Sequence, residues 1–358
     1  MIKPRSLKKG DKVAVVSLSS GILGESYCKH QLDLGIKRLN EVGLIPIFMP
    51  NALKGRKFIE EHPEARAQDL KDAFYDPSIK GIFCAIGGDE TFKLLPYLIS
   101  DQAFIDHVKK NPKLFTGFSD TTNNHLFFYK IGMTTYYGLN YLSDLAELGD
   151  EILPYTKNTL LMYFKNHHVT PIISSPLWYE ERESFSSDQV GINRNSHEEK
   201  LGYHVLFGHG KVIGRLLGGC LESLYDGYIG KRYKDQKEIY EKYNLMPNID
   251  EWKDKVMFFE TSEETPTPNL FRSYLEAFEE RGFFTVIKAI LVGKPQNERY
   301  FKEYNEILSE YAKKYHLPVM VNLNIGHAYP RTALPYGLEV EIDFDLKTIQ
   351  IIEPYFAE

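Results

Sequence analysis

The stretch "KLFTGFSDTTNNHLFFYKIG", residues 113–132, places a short apolar run directly before a polar cluster and a helical pattern. The apolar run predicts a buried β-strand, and the residues from Thr121 onward predict a helix. A strand that passes at once into a helix is the repeating unit of a parallel sheet. Ser119 stands at the turn between them. It fits either a helix cap, a use shared with Asp120, or a nucleophile lifted above the sheet edge, and this stretch alone leaves both open.

The same alternation runs through the first half of the chain. Strands are predicted at "KVAVVSLSS", "IPIFMP" and "KGIFCAIGG", and helices at "YCKHQLDLGIKRLNEVG", "ARAQDLKDAFYDP" and "DETFKLLPYL". Gly43 and Pro77 end the first two helices. The pattern predicts an α/β fold with a parallel sheet wrapped by helices. "SLSS", "AIGGDE" and "GFSDTT" follow three strands, at the edge where such sheets bind ligands.

A polar, weakly periodic segment separates this half from the rest. Residues 1–165 are predicted as an N-terminal α/β domain and residues 166–208 as a linker with a long loop. Loops of this length are functional lids or are disordered. Residues 209–358 are predicted as a smaller C-terminal α/β domain with mixed and antiparallel strands. Its predicted strands are "KVMFFETS", "KAILVGKP" and "PVMVNLNIG", its helices "PNLFRSYLEAFEERGFF" and "EYNEILSEYAKKYH", and "GLEVEIDFDLKTIQIIEP" is a closing hairpin.

Composition narrows the class of protein. A chain of 358 residues with 43% hydrophobic and 26% charged residues is typical of a soluble two-domain protein. The net charge of −6, without a basic block, favours neither nucleic acid nor a membrane surface as partner. The apolar run "VAVV" is too short for a secretory signal or a membrane helix, which predicts a cytoplasmic protein. Three widely spaced cysteines indicate reduced thiols, and no metal site is expected.

Several residues are candidates for chemistry. Gly87 and Gly88 permit close backbone approach to a ligand, and an N–H there suits an oxyanion hole, although a plain tight turn is the alternative. His327, in a proline-rich loop after a strand, is a candidate base. Glu260 ends a strand and would point into the crevice. Each of these two also fits an ordinary structural residue, and the neighbouring Glu263 and Glu264 are expected to be solvated.

An aromatic pair stands out in the long loop. Trp178 and Tyr179 either stack on a substrate ring or anchor the loop by burying their own rings.

The ordered set "GG" at a strand end, "GFSDTT", "GRLLGGCLESL", "FFET" and "NIGHAYPRTALPYG" resembles the LD-carboxypeptidase family of serine peptidases over nearly the whole chain. The resemblance implies Ser119 as nucleophile, His327 as general base and acid, and Glu260 as the group that orients the imidazole. It implies an oxyanion hole formed by the backbone N–H groups of Gly88 and Asp120. It also implies an active site at the domain interface, a homodimer, and no metal or cofactor.

Two branches of this family differ in substrate. Murein-recycling members release D-alanine from a tetrapeptide and carry Arg before the Gly-Gly pair, where this chain has Ile86. Microcin-immunity members cleave the amide that joins a peptide to a modified adenylate, and "GGDETFKLLPYL" with the aromatic loop resembles them more. That branch implies stacking of Trp178 on adenine. The substrate-binding residues that it suggests are Gly87, Asp89, Trp178, Tyr179 and Tyr203, the last standing where relatives often have Trp.

The sequence therefore predicts a microcin-immunity-like serine peptidase or amidase with a Ser-His-Glu triad. Its predicted substrate is a small peptide or a peptidyl- or aminoacyl-nucleotide, with detoxification as its role. A murein tetrapeptide LD-carboxypeptidase is one alternative. A non-catalytic ligand-binding module on the same fold is the other.

Overall fold

A parallel sheet wrapped by helices forms the N-terminal part of the computed structural model, which describes residues 1–358. The chain divides into two compact units. Unit 1 comprises Met1–Asn166, Arg182–Arg194 and Phe356–Glu358, and unit 2 comprises His167–Glu181 and Asn195–Tyr355. Each unit is therefore built from separate stretches of the chain.

Unit 1 contains five parallel strands in the spatial order β5-β4-β3-β1-β2. The strands are β1 (Lys12–Val16), β2 (Ile45–Phe48), β3 (Ile79–Cys84), β4 (Leu114–Gly117) and β5 (Tyr136–Tyr137). The helices are α1 (Lys29–Glu41), α2 (Gly55–Glu61), α3 (Pro63–Tyr75), α4 (Leu95–Ile99), α5 (Gln102–Lys110), α6 (Thr122–Lys130) and α7 (Pro154–Met162).

The central strands of unit 1 are buried. Val15 of β1 and Phe115 of β4 are both inaccessible to solvent. Parallel strands covered on both faces read as continuous apolar runs, because neither face meets water. This is the pattern seen in the sequence, and the predicted α/β fold with a wrapped parallel sheet is confirmed.

One predicted helix is broken in two. "DETFKLLPYL" begins as a 3₁₀ turn at Thr91–Leu94 and continues as the short helix α4. Pro96 lies in the first turn of α4, where its missing N–H removes no helical hydrogen bond. A proline deeper in a helix would remove one, so a new helix starts at Leu95.

Unit 2 holds an eight-stranded mixed sheet in the order β6-β16-β15-β10-β11-β12-β13-β9. Strands β10 to β13 are parallel, and the flanking strands are antiparallel. The strands are β6 (Thr170–Ile172), β7 (Leu177–Tyr179), β8 (Ser196–Glu198), β9 (His204–Phe207), β10 (Lys211–Cys220), β11 (Lys255–Glu260), β12 (Ala289–Gly293), β13 (Val319–Leu323), β14 (Leu334–Pro335), β15 (Glu339–Asp343) and β16 (Thr348–Ile351). The helices are α8 (Leu221–Ile229), α9 (Lys234–Tyr243), α10 (Ile249–Trp252), α11 (Pro268–Glu280) and α12 (Phe301–Tyr315).

Four short strands lie within residues 166–208, the segment that sequence analysis treats as linker and loop. β6 pairs with β16 and β9 pairs with β13, so both are edge strands of the large sheet. β7 and β8 form a separate two-stranded hairpin. Each of the four is only three or four residues long, and two of them pair with strands far along the chain. Local periodicity is therefore too weak to predict them.

A buried ion network holds residues 182–194 in unit 1. Arg182 Nη2 donates to the Glu147 carboxylate at 2.5 Å, and Arg194 Nε donates to the same carboxylate at 2.7 Å. All three side chains are at most 5% exposed. Burial alone would raise the pKa of Glu147, but the charges and hydrogen bonds of the two arginines outweigh it and lower the pKa. The segment is thus tied to the unit by charge as well as by chain connectivity.

None of the helices is both long enough and apolar enough to cross a membrane.

The variant Glu147→Gln should destabilise unit 1 by about 3–5 kcal/mol, because it removes the carboxylate charge that pairs with two buried guanidinium groups. Hydrogen exchange followed by mass spectrometry should show lost protection in residues 182–194. Glu151→Gln is the control, since Glu151 pairs with Lys157 on the surface and the loss should stay below about 1 kcal/mol. Equal protection of this segment in both variants would contradict the anchoring role.

Candidate active site

Ser119 occupies a strained turn between β4 and α6. Its φ of 67° lies in the left-handed region, which costs a residue other than glycine about 1–3 kcal/mol. The turn is held by its neighbours. The Ser119 N–H donates to the Tyr137 hydroxyl at 3.1 Å, and the Thr122 hydroxyl donates to the Ser119 carbonyl at 2.7 Å. A strained turn of this kind between a strand and a helix lifts a side chain out of the sheet.

The helix-cap alternative fails for both Ser119 and Asp120. Thr121 is the residue at the cap position of α6, and no side chain forms a capping hydrogen bond there. The Asp120 carboxylate is buried and serves elsewhere. It accepts from the Ser19 hydroxyl at 2.5 Å, from Thr91 N–H at 2.8 Å, and from Asn123 Nδ2 at 2.6 Å. This carboxylate therefore ties the ends of three chain segments around the serine.

Gly87 and Gly88 lie directly against Ser119 and the β1 loop. A Cβ on Gly87 would lie 2.6 Å from the Ser119 Cβ and 2.8 Å from its Oγ. Gly88 has a φ of 150°, and a Cβ there would lie 2.5 Å from the Ser19 hydroxyl. Only glycine fits at either position. The structure thus brings Gly87, Gly88, Ser119 and Asp120 to one sheet edge, with the exposed Asp89 beside them.

Unit 2 contains the second part of the predicted machinery. Glu260 ends β11 and is 0% exposed, and His327 lies in the loop after β13. The His327 Nδ1 lies 2.8 Å from Glu260 Oε2, and the His327 backbone N–H donates to the same oxygen at 3.2 Å. Because Nδ1 faces Glu260, Nε2 is the ring nitrogen on the side away from this carboxylate. This is the geometry of a base with its orienting carboxylate.

Two glycines make room for Glu260. A Cβ on Gly293 would lie 2.7 Å from the Glu260 Cβ, and a Cβ on Gly326 would overlap the Glu260 carboxyl group. Gly326 also has a φ of 76°. The sequence "NIGH" therefore carries a glycine immediately before the histidine because the carboxylate occupies the space of a side chain.

A further carboxylate contacts His327. Glu263 Oε2 lies 2.9 Å from His327 Nε2, although the Glu263 side chain is 63% exposed. Glu263 is thus exposed to solvent, as expected, and it also contacts His327, which the sequence did not predict. Burial alone would lower the pKa of His327, but Glu260 and Glu263 outweigh it and raise this pKa to about 10. The hydrogen bond to His327 lowers the pKa of Glu263 to about 2, against the opposing effect of burial.

Glu222 is a buried acid that sequence analysis did not single out. It lies in the first turn of α8 and accepts from Ser262 N–H at 2.9 Å and from the Ser262 hydroxyl at 2.8 Å. Burial and the nearby charge of Glu260 raise the pKa of Glu222 to about 7, although the Ser262 hydrogen bonds oppose this. The motif "GRLLGGCLESL" contains this residue, so the motif was the available signal.

The aromatic residues of the predicted substrate loop differ in accessibility. Trp178 of β7 is partly exposed and stacks on His197 of β8, with ring centroids 4.2 Å apart and planes 19° apart. Tyr179 is also partly exposed, and its N–H donates to the Tyr329 carbonyl at 3.0 Å. Tyr203 is only 5% exposed. His197 covers one face of the Trp178 ring, and Lys294 Nζ lies over the ring at 5.2 Å from its centroid. Trp178 and Tyr179 are thus the more accessible of the three aromatic residues.

Residues 13–138 match the LD-carboxypeptidase N-terminal domain, and residues 213–342 match the LD-carboxypeptidase C-terminal domain. The chain therefore belongs to the LD-carboxypeptidase family, as the sequence motifs predicted. It is a serine-type hydrolase.

Relatives from both branches are similar to it. The crystal structure of an MccF-like protein from Streptococcus pneumoniae in complex with AMP is 44% identical, with a TM-score of 0.91 over 95% of this chain and 98% of that one. The microcin C7 self-immunity protein MccF of Escherichia coli is 26% identical over 82% of this chain and 79% of its own length. A "Probable murein peptide carboxypeptidase" of Bacillus subtilis is 26% identical over 98% of this chain and 94% of its own.

The variant Gly326→Ala should separate His327 from Glu260, because the added methyl group needs the space of the carboxylate. An NMR titration should show the pKa of His327 falling once its buried counterion is displaced. Gly282→Ala is the matched control, since its φ of 78° imposes the same backbone strain while its nearest neighbour would be 3.7 Å away. An unchanged His327 titration in Gly326→Ala would show that the glycine is not needed for the pair.

Proposed function

We propose that this chain is a microcin-immunity-like serine peptidase or amidase that hydrolyses the amide bond of a peptidyl- or aminoacyl-nucleotide. Ser119 would act as nucleophile, His327 as base and acid, and Glu260 as the orienting group. The observation that carries the proposal is the 2.8 Å contact between His327 Nδ1 and the buried Glu260 carboxylate. A buried imidazole held in this tautomer is what a serine nucleophile requires of its base.

The chemistry follows from these roles. Neutral His327 would accept the Ser119 hydroxyl proton at Nε2 as the oxygen attacks the carbonyl carbon of the amide. The imidazolium then returns that proton to the leaving nitrogen, the C–N bond breaks, and an acyl ester remains on Ser119. Water attacks this ester with His327 again as base, and the acid product leaves. Glu260 fixes the tautomer throughout and stabilises the imidazolium.

The oxyanion would be stabilised in unit 1. We assign this role to the backbone N–H groups of Gly88, which follows the glycine packed against Ser119, and of Asp120, the residue after Ser119. Each such donor is worth about 3 kcal/mol of barrier when it points at the developing charge. The positive N-terminal end of the α6 helix dipole adds to this stabilisation. In this assignment the Asp120 carboxylate supports the loop, and the Asp120 backbone N–H stabilises the oxyanion.

A nucleotide leaving group is favoured by one relative and one residue. The Streptococcus pneumoniae protein, 44% identical, binds AMP, and Trp178 offers a partly exposed aromatic ring in unit 2. Purine bases stack readily on tryptophan, and each such contact is worth about 1–3 kcal/mol. Adenine stacking on Trp178 is the role that we propose. Gly87, Asp89, Tyr179 and Tyr203 remain candidate substrate contacts.

Murein tetrapeptide cleavage is the second candidate. The similarity to the Bacillus subtilis relative favours it, because that likeness covers nearly all of both chains. Both reactions hydrolyse an amide and use the same serine chemistry. They differ in the leaving group, which is D-alanine in one case and an amino-nucleotide in the other.

Ser119→Ala should abolish hydrolysis of an aspartyl-adenylate amide by at least about 10³-fold, because no other group replaces the attacking oxygen. The rate of AMP-type product release, followed by chromatography, checks this. Ser100→Ala, an exposed serine in the same unit, should leave the rate unchanged. A murein tetrapeptide assayed in parallel separates the two branches, and D-alanine release alone would overturn the nucleotide substrate. Turnover by Ser119→Ala equal to that of the unmodified protein would overturn the triad. No turnover of either substrate by the unmodified protein would favour the non-catalytic binding module.

Trp178→Ala should raise the KM for the nucleotide substrate about tenfold with little change in kcat, since stacking holds the base in ground and transition states alike. Trp178→Phe should recover part of the loss because it keeps an aromatic face. A tetrapeptide has no base to stack, so its KM should not respond. A KM for the nucleotide that is unchanged in Trp178→Ala would remove this residue from the binding site.

A further inference from the structure

We propose that Glu263 is a positioning residue that competes for the catalytic nitrogen of His327 and holds the imidazole in its protonated, inactive form until substrate displaces it. This inference rests on the proposed function, in which His327 Nε2 accepts the serine proton. Glu263 Oε2 lies 2.9 Å from that same nitrogen. A nitrogen that donates its proton to a carboxylate cannot at the same time accept one from a hydroxyl group.

The two carboxylates that flank His327 differ in how firmly they are held. Glu260 is 0% exposed and is enclosed by Gly293 and Gly326, so its position is fixed by packing. The Glu263 side chain is 63% exposed and lies on the turn that follows β11. An exposed side chain changes rotamer without breaking a packed core. Glu263 is therefore the partner that can leave, and Glu260 the partner that stays.

The charges around the imidazole define what happens when Glu263 leaves. Glu260 faces Nδ1, and the Arg331 Nη2 donates to the His327 carbonyl at 3.2 Å. Glu222 and Cys220 are close enough to feel the charge of Glu260. Arg232 helps to lower the pKa of Glu263 and pairs with Glu264 at 3.1 Å. Without Glu263, the imidazolium keeps a single carboxylate partner, and its Nε2 proton passes to water. The neutral Nε2 that remains is the base which the reaction needs.

The direction of the pH dependence follows. His327 works as a base only when neutral, so activity rises as pH rises through its pKa. Two carboxylates together raise the pKa of His327 to about 10. Removing the Glu263 charge lowers this pKa, which shifts the rising limb of the pH–rate profile to lower pH. The rate at neutral pH should increase, because more of the enzyme then carries a neutral imidazole.

The variants Glu263→Gln and Glu263→Ala test this without knowledge of the natural substrate. Labelling of Ser119 by a fluorophosphonate, measured from pH 5 to pH 10, reports the base directly. We expect the midpoint of the rising limb to move down by at least one pH unit, with about a tenfold faster labelling at pH 7. Glu264→Gln is the matched control. It removes the adjacent exposed carboxylate, which pairs with Arg232 and not with His327, and should leave the profile in place.

An NMR titration of the imidazole keeps this inference separate from the proposed function. The His327 signal is assigned by its loss in His327→Gln. A lower pKa for His327 in both Glu263 variants, together with the shifted labelling profile, supports the competition. An unchanged pKa overturns it, whatever the activity. A lowered pKa with no labelling in any protein, the unmodified chain included, overturns the catalytic role of His327 and with it the proposed function.

Discussion

The hydrogen bond between buried Glu260 and His327 is the constraint on which the candidate site depends. A carboxylate removed from water is stable only when paired, and the imidazole and the His327 N–H supply that pairing through one oxygen. Three chain segments must therefore meet at one point: the end of β11, the end of β12 at Gly293, and the loop after β13. Both glycines next to the carboxylate follow from this, because no side chain fits beside it.

Unit 1 satisfies a different constraint, the left-handed backbone of Ser119. Such a conformation persists only where the surroundings enforce it. Here Gly87 leaves space for the serine, and the Asp120 carboxylate joins Ser19, Thr91 and Asn123 around the turn. The strain is thus balanced by a buried hydrogen-bond network rather than by a favourable local sequence. The residue after Ser119 is acidic because its side chain organises the loop.

Much of the fold was predictable because burial leaves a local trace. The apolar runs of β3 and β11 indicate strands buried on both faces, and the spacing of α1 and α12 indicates helices. The positive φ of Ser119 could not be predicted from the sequence, because serine does not favour this conformation and only the surrounding residues impose it. The contact of Glu263 with His327 joins residues that are distant along the chain. The sequence shows that an acidic residue follows the strand, but it does not show which basic residue this acid contacts.

Burial separates the roles of three acids that the sequence presents alike. Glu260 is enclosed and paired, which suits a permanent counterion. Glu222 is also buried, but its partners are the neutral groups of Ser262, and the nearby charge of Glu260 raises its pKa to about 7. Two adjacent buried carboxylates repel each other when both are charged. Glu222 has no cationic partner, so it keeps its proton to a higher pH than an ordinary glutamate does. Glu263 reaches solvent, so water can hydrate its carboxylate when it leaves His327. Exposure, rather than residue type, is what makes this carboxylate exchangeable.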